Sequence, residues 1–243
     1  MLELNKIYNL SWQEGLSQID DNSIDLIIID PPYLTTSEKW DKQEQVNEEL
    51  SKQLFRVAKD NCSLYVWCGI GEKSQSLIRW FPIFNKDWFF KDLITWKKQR
   101  GIGMRKGWLY TREEIMWFVK DNHSFTWNIK LQYTDELRIN LLNYAKAKSN
   151  YKRITNVWTD INESTLQGGA GNSECKLHFT PKPIKALERI IKLHTKENDL
   201  ILDTFMGSGS TALVAKNLNR QFIGFENNEE YYKIACNRID QHV

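Results

Sequence analysis

The chain is short of the residues that build metal centres and disulfide frameworks. Its four cysteines, Cys62, Cys68, Cys175 and Cys236, form no CxxC pair, and its four histidines, His123, His178, His194 and His242, stand away from metal-ligand spacings. No metal site is expected, and the thiols are expected to be reduced, as in the cytoplasm. Long apolar runs are missing too. Nothing approaches the roughly 20 residues that a membrane-spanning helix needs, and the first residues lack the charged-then-apolar order of a secretion signal. No membrane partner is expected. An excess of either charge is also absent: 33 Lys and Arg stand against 31 Asp and Glu, for a formal charge of +2. A polyanion would therefore have to be met by a local basic patch.

What the 243 residues do contain is material for one substantial core, at 41% hydrophobic and 26% charged, so one domain over 1–243 is expected. Short apolar runs at 24–29, 63–68, 92–96, 115–119, 200–202 and 222–225 alternate with helix-period segments. Trp12, Leu16 and Ile19 share a helical face, as do Val46, Leu50, Leu54 and Val57, and again Ile184, Leu187, Ile190 and Ile191. This alternation predicts an α/β fold, a mostly parallel sheet with strands buried on both faces beneath helices. Residues 121–176 break the pattern, with aromatic and basic side chains interleaved among Asn, Ser and Thr. They read as an insertion within the domain. Trp67 and Trp88 are expected in the core.

Two segments carry chemistry. The later one, Asp203-Thr204-Phe205-Met206-Gly207-Ser208-Gly209-Ser210-Thr211, follows a predicted strand and precedes a predicted helix. Gly207 and Gly209 permit a tight turn and close approach of backbone to a ligand, while the helix presents free N–H groups. The dinucleotide pattern GxGxxG is not met, because its third glycine is absent. A second strand then ends at Glu226, where a carboxylate can accept hydrogen bonds from both ribose hydroxyls of a nucleotide-like cofactor. The other reading of these residues is a capped turn beside a surface charge.

The earlier segment, Asp30-Pro31-Pro32-Tyr33, ends the apolar run at 24–29. An aromatic amine is a weak nucleophile because its lone pair is delocalised into the ring, so a catalyst must bend it toward tetrahedral geometry. The Asp30 carboxylate and the Pro31 carbonyl can accept its two hydrogens, and consecutive prolines hold the chain extended without competing N–H groups. Tyr33 offers a face on which a base can stack. Two prolines that merely break structure are the alternative. In an open α/β sheet, ligands bind beyond the carboxyl ends of strands, and both segments lie at such ends.

With these residues in this order, the chain resembles the N4/N6 amino DNA methyltransferases, in the group whose catalytic segment precedes the cofactor segment. The resemblance spans nearly the whole chain and includes Asn22-Ser23-Ile24-Asp25, Trp40-Asp41, Trp96-Lys97, Trp158 and Pro181-Lys182-Pro183. It implies a Rossmann-like methyltransferase fold whose seven-stranded, mostly parallel sheet has one antiparallel strand. It implies S-adenosylmethionine as cofactor, held by the turn residues Asp203, Phe205, Gly207, Ser208, Gly209 and Thr211, with the ribose on Glu226. Thr180 and Lys182 would close over the methionine end. The family usually has His-Pro-Thr-Gln-Lys-Pro where this chain has Phe179 and Pro181 in place of the first proline and the glutamine. The acid that commonly meets the cofactor's adenine falls at Leu10-Ser11 here, leaving Ser11, Asn9 or another residue to make that contact. Asp-Pro-Pro-Tyr points to adenine N6, with cytosine N4 as the alternative.

Double-stranded DNA is the implied partner. The basic, glycine-bearing stretch at 97–108, with Lys97, Lys98, Arg100, Arg105 and Lys106, reads as a loop tracking phosphates, and Lys152 and Arg153 form a second patch beside Lys146 and Lys148. Residues 121–176 would recognise the target sequence, and the loop at 34–42 would fold over an extruded base. A homodimer and a companion restriction endonuclease are further expectations, in a cytoplasmic protein associated with the nucleoid. A nicotinamide-dependent oxidoreductase and a non-catalytic DNA-binding protein remain as competitors from other classes.

Overall fold

The computed structural model describes residues 2–36, 41–102, 106–137, 150–163 and 181–241. Among them, the first half contributes β1 (Lys6–Tyr8), α1 (Trp12–Leu16), β2 (Ile24–Ile29), α2 (Glu48–Val57), β3 (Ala58–Cys68), α3 (Ser76–Phe84), β4 (Phe89–Ile102) and β5 (Tyr110–Val119). After them come β6 (Tyr133–Leu137), β7 (Tyr151–Arg153) and β8 (Val157–Trp158). The last third supplies α4 (Ile184–His194), β9 (Leu200–Asp203), α5 (Ser210–Asn217), β10 (Gln221–Phe225) and α6 (Glu229–Asp240).

Eight strands form the main sheet in the order β1-β10-β9-β2-β3-β5-β4-β8. Among the described strands of this sheet, only β5 runs antiparallel to its neighbours. Seven of these strands match the arrangement that the resemblance implies, and β8 adds a two-residue edge beside Thr95 and Trp96. All six residues of β2 are buried. Its side chains alternate between two cores: Ile27 and Ile29 pack with Leu50, Leu54 and Trp80 on one face, Leu26 and Ile28 with Leu187, Ile190 and Val214 on the other. Burying a side chain of this size stabilises by about 1.5–3 kcal/mol. That packing holds α2, since isolated helices shorter than roughly 12 residues are marginal in water.

Several strands run further than their apolar centres. β3 starts at Ala58 rather than 63, and β4 and β5 form a long hairpin in which Lys97 lies opposite Arg112 and Ile102 opposite Tyr110. The expected basic loop at 97–108 is therefore corrected: Lys97, Lys98 and Arg100 belong to β4, where a backbone ladder holds residues of any polarity. The described part of 121–176 contains the separate ribbon of β6 and β7, then returns to the main sheet at β8. Among the described residues no helix is long and apolar enough to cross a membrane, and no cluster of metal-ligating side chains occurs.

The sheet order fixes where a ligand can sit. From β2 the chain moves to β3 on one side, while β9 lies on the other, and at such a reversal a crevice opens beyond the carboxyl ends. Asp30 follows β2 and Asp203 ends β9, so segments about 170 positions apart in sequence meet there.

Candidate active site

One cavity of about 870 Å³ covers these strand ends, and its walls include Asp30, Pro31, Tyr33, Asp203, Phe205 and Glu226. Both sequence-read segments thus face a single space of the size that cofactor sites have.

At the glycine turn, Gly207 (φ 53°) and Gly209 (φ 79°) adopt the left-handed conformation that side chains disfavour. A Cβ on Gly209 would also lie 3.1 Å from Ala235 of α6. The Glu226 carboxylate accepts the N–H of Gly207 at 2.8 Å on one oxygen and that of Asn228 at 2.9 Å on the other. Each oxygen keeps a second lone pair for a ligand hydroxyl. Burial raises the Glu226 carboxyl, and the two N–H groups offset part of that rise. Burial also pushes the Asp203 carboxyl up to about 7; hydrogen bonds from the Thr211 side chain and the Phe205 N–H work against it, and the charges of Asp30 and Glu226 add to it. Arg238 grips the outside of the turn, donating to the Ser208 carbonyl at 3.3 Å and the Ser210 hydroxyl at 3.0 Å.

Tyr33 donates its hydroxyl to Asp30 Oδ1 at 2.9 Å, and its ring meets Trp80 edge-on at 5.8 Å. Lys182 Nζ lies 2.7 Å from Asp30 Oδ2 and 3.5 Å from Glu113 Oε2. Burial pushes the Asp30 carboxyl up, and Lys182 draws it back in part. For Lys182, burial acts to lower the ammonium, but Asp30 and Glu113 more than offset it and keep the group charged. Burial likewise works to raise Glu113, and the ammonium groups of Lys182 and Lys98 outweigh it, holding that carboxyl below its ordinary range.

The loop after Tyr33 is tied by one side chain. Asp41, 2% exposed, accepts the N–H groups of Leu34, Thr35 and Thr36 at 2.7, 2.7 and 2.5 Å. This holds the described part of the loop against the cavity, where Thr35, Thr36 and Asp41 form part of the wall.

Other sequence-read residues fall differently. Ser11 caps α1, bonding Glu14 reciprocally, and its neighbours Leu10 and Trp12 contribute to the cavity wall. Asn9 donates to the Glu226 backbone carbonyl at 2.8 Å. Lys182 faces Asp30 rather than standing only at a lid, and Lys98 is paired with Glu113 in the cavity wall. Lys97, Lys106, Lys152 and Arg153 are exposed. Thr180, Arg105, Lys146 and Lys148 lie outside the described residues, as does the side chain of Arg100. Trp88 is core, as expected, whereas Trp67 is fully buried among protein atoms and still forms part of the cavity wall. Glu113 is a further cavity residue that the sequence did not single out, and Thr204 and Asp41 join the wall from segments that were quoted without a role for either.

The profile of the DNA methylase family matches residues 24–237. The Type II methyltransferase M1.MboII of Moraxella bovis is 34% identical to this chain, across 97% of the chain and 96% of the relative. The Type II methyltransferase M.HpaI of Haemophilus parainfluenzae is 32% identical, across 93% and 71%. Among solved structures, the M1.HpyAVI–SAM complex superposes with a TM-score of 0.64 at 26% identity, covering 97% of this chain and 98% of that one. The cytosine-N4-specific PvuII DNA methyltransferase, at 19% identity and a TM-score of 0.71, shares the fold, over 96% of this chain and 85% of its own. The chain belongs to the DNA methylase family: it is a DNA methyltransferase, and its cofactor is S-adenosylmethionine.

The cavity suits that cofactor. Thr204 Oγ1 and Trp12 Nε1 are buried without a hydrogen-bond partner, and both residues contribute to the wall. Such groups are costly to leave unsatisfied, so they mark places where a polar ligand can complete the site.

Proposed function

We propose that this enzyme methylates the exocyclic N6 of adenine in double-stranded DNA, acting on a base turned out of the helix. The observation that carries the reading is the shared cavity, in which the Asp30 carboxylate and the Asp203 to Gly209 turn lie at the ends of adjacent strands. The bound cofactor supplies an electrophilic methyl group on a sulfonium. Asp30 accepts one hydrogen of the target amine and the Pro31 carbonyl the other, which directs the nitrogen lone pair out of the ring plane. Tyr33 orients Asp30 through its hydroxyl and offers its face to the base. As the nitrogen–methyl bond forms and the sulfur–methyl bond breaks, the nitrogen becomes cationic, and its surplus proton leaves to Asp30 and then to solvent.

Glu226 holds the ribose hydroxyls, and Asp203, Thr204, Gly207, Ser208, Gly209 and Thr211 form the cradle of the methionine end. Lys97, Lys106, Lys152 and Arg153 meet phosphates, which their exposure supports. Recognition belongs to the segment at 121–176, whose ribbon stands apart from the main sheet. The Type II names of the relatives support a companion restriction endonuclease and a short recognition sequence in the cell's own DNA. The test is nucleoside mass analysis of unmethylated DNA incubated with isotope-labelled cofactor. Labelled N6-methyladenine is expected, and labelled N4-methylcytosine would transfer the activity to cytosine.

A further inference from the structure

The Lys182 ammonium stands where a target amine would have to be. It is 2.7 Å from Asp30 Oδ2, 5.5 Å from the centre of the Tyr33 ring and 5.2 Å from that of Trp67. An amine entering to use that oxygen meets a charged donor already bound to it. The Lys182 side chain is only 11% exposed, so solvent is a poor destination for the displaced charge.

Glu113 provides the destination. It projects from β5, which holds Glu113 opposite Trp96. One of its oxygens is paired with Lys98, while Oε2 is buried and lacks a hydrogen bond, 3.5 Å from the Lys182 ammonium. A carboxylate oxygen in that condition favours any move that brings a donor closer. The flexible four-carbon stem of lysine allows such a move without shifting the backbone.

We propose that Lys182 is a displaceable occupant of the amine site and that Glu113 is the positioning residue that receives it. On base entry the ammonium passes from Asp30 to Glu113, so Asp30 Oδ2 is opened to the amine while the ammonium keeps a carboxylate partner. Before entry the same lysine keeps Asp30 from standing as a lone charge in a dry pocket. The exchange also selects for chemistry: an amino group can replace the ammonium as donor to Asp30, whereas a base carbonyl at that place cannot. This inference rests on the reading that Asp30 grips the target amine.

A double-mutant cycle tests it, using unmethylated phage λ DNA and tritiated cofactor, with cofactor binding measured calorimetrically as the check on folding. With its destination removed, Glu113→Gln should lower kcat/KM for DNA by about tenfold or more, and Glu113→Asp should keep most of it. Adding Lys182→Met to Glu113→Gln should restore kcat/KM to the level of Lys182→Met alone, because no ammonium then competes for Asp30. Losses that multiply in the double variant, or unchanged kcat/KM in Glu113→Gln, overturn the proposal. If Glu113→Gln does not fold, Lys182→Met alone decides: its KM for DNA should not exceed that of the native enzyme, and a rise overturns the proposal. Asp30→Ala keeps the two readings distinct. Full turnover in that variant removes the amine grip itself, whereas loss of turnover together with multiplicative losses in the cycle removes only the exchange.

Discussion

Ile27 of β2 lies opposite Leu202 of β9, and this register sets Asp30 and Asp203 at neighbouring strand ends. Everything proposed for the site depends on that pairing. Asp30 provides an acceptor for the amine, and the turn beginning at Asp203 provides the place from which a methyl group is delivered.

Asp30→Ala should lower methyl transfer by at least about 10² to 10³-fold, the usual cost of removing one preorganised group that acts on the reacting atom. Cofactor affinity should remain within about threefold, because Glu226 and the glycine turn are left in place. Tritium transfer to DNA and calorimetric titration of the cofactor measure the two quantities. Equal losses in both would place Asp30 in the cofactor site.

Glu226→Gln should weaken cofactor binding by about 10- to 100-fold, since hydrogen bonds to a charged group are worth about 1.5–3 kcal/mol. Glu226→Ala should do more, because the N–H groups of Gly207 and Asn228 also lose their acceptor. Binding isotherms check both variants. An unaltered isotherm would move the ribose site elsewhere.

The pH dependence follows from Asp203, whose carboxyl is pushed from 3.8 up to about 7 by burial. Its neutral form is favoured in the folded chain, so its contribution to stability is complete below about pH 4 and is lost as pH rises through about 7. A cationic cofactor favours the ionised form. Cofactor binding should therefore release protons near neutrality and tighten as pH rises from about 6 to 8. Calorimetry in two buffers of different ionisation enthalpy reads the proton count, which should vanish in Asp203→Asn. Equal apparent enthalpies for the native enzyme in both buffers would contradict this.

Asp41→Ala removes the acceptor of three backbone N–H groups. It should destabilise the protein by about 1–3 kcal/mol, the cost of leaving buried hydrogen-bonding groups unsatisfied. It should also reduce kcat more than cofactor affinity, since the loop borders the proposed base site. Urea denaturation and steady-state kinetics give the two numbers, and native values of both would show that the loop is held by other contacts.

The centres of the strands were legible because burial on both faces leaves continuous apolar runs, as at Ile24 to Ile29. Their ends were not, because the pairing of Lys97 with Arg112 and of Ile102 with Tyr110 carries β4 and β5 past the core, where polar residues resemble a loop. Ser11 was ambiguous for a related reason: one polar side chain suits both a cofactor contact and a helix cap. Its signal was Glu14 three residues on, the reciprocal capping pattern that the structure contains. That Asp30, Tyr33, Gly207 and Glu226 face one cavity could be read from motif order. Glu113 could not, since Arg112-Glu113-Glu114 is an ordinary polar stretch until the pairing with Trp96 turns one carboxylate toward Lys182.

The most direct test compares native enzyme and Asp30→Ala on unmethylated DNA with isotope-labelled cofactor, followed by digestion and nucleoside mass analysis. The expected result is labelled N6-methyladenine from the native enzyme and none from the variant, with both proteins binding cofactor. Label on cytosine, or undiminished labelling of adenine by Asp30→Ala, would contradict the central claim that Asp30 grips an adenine amino group.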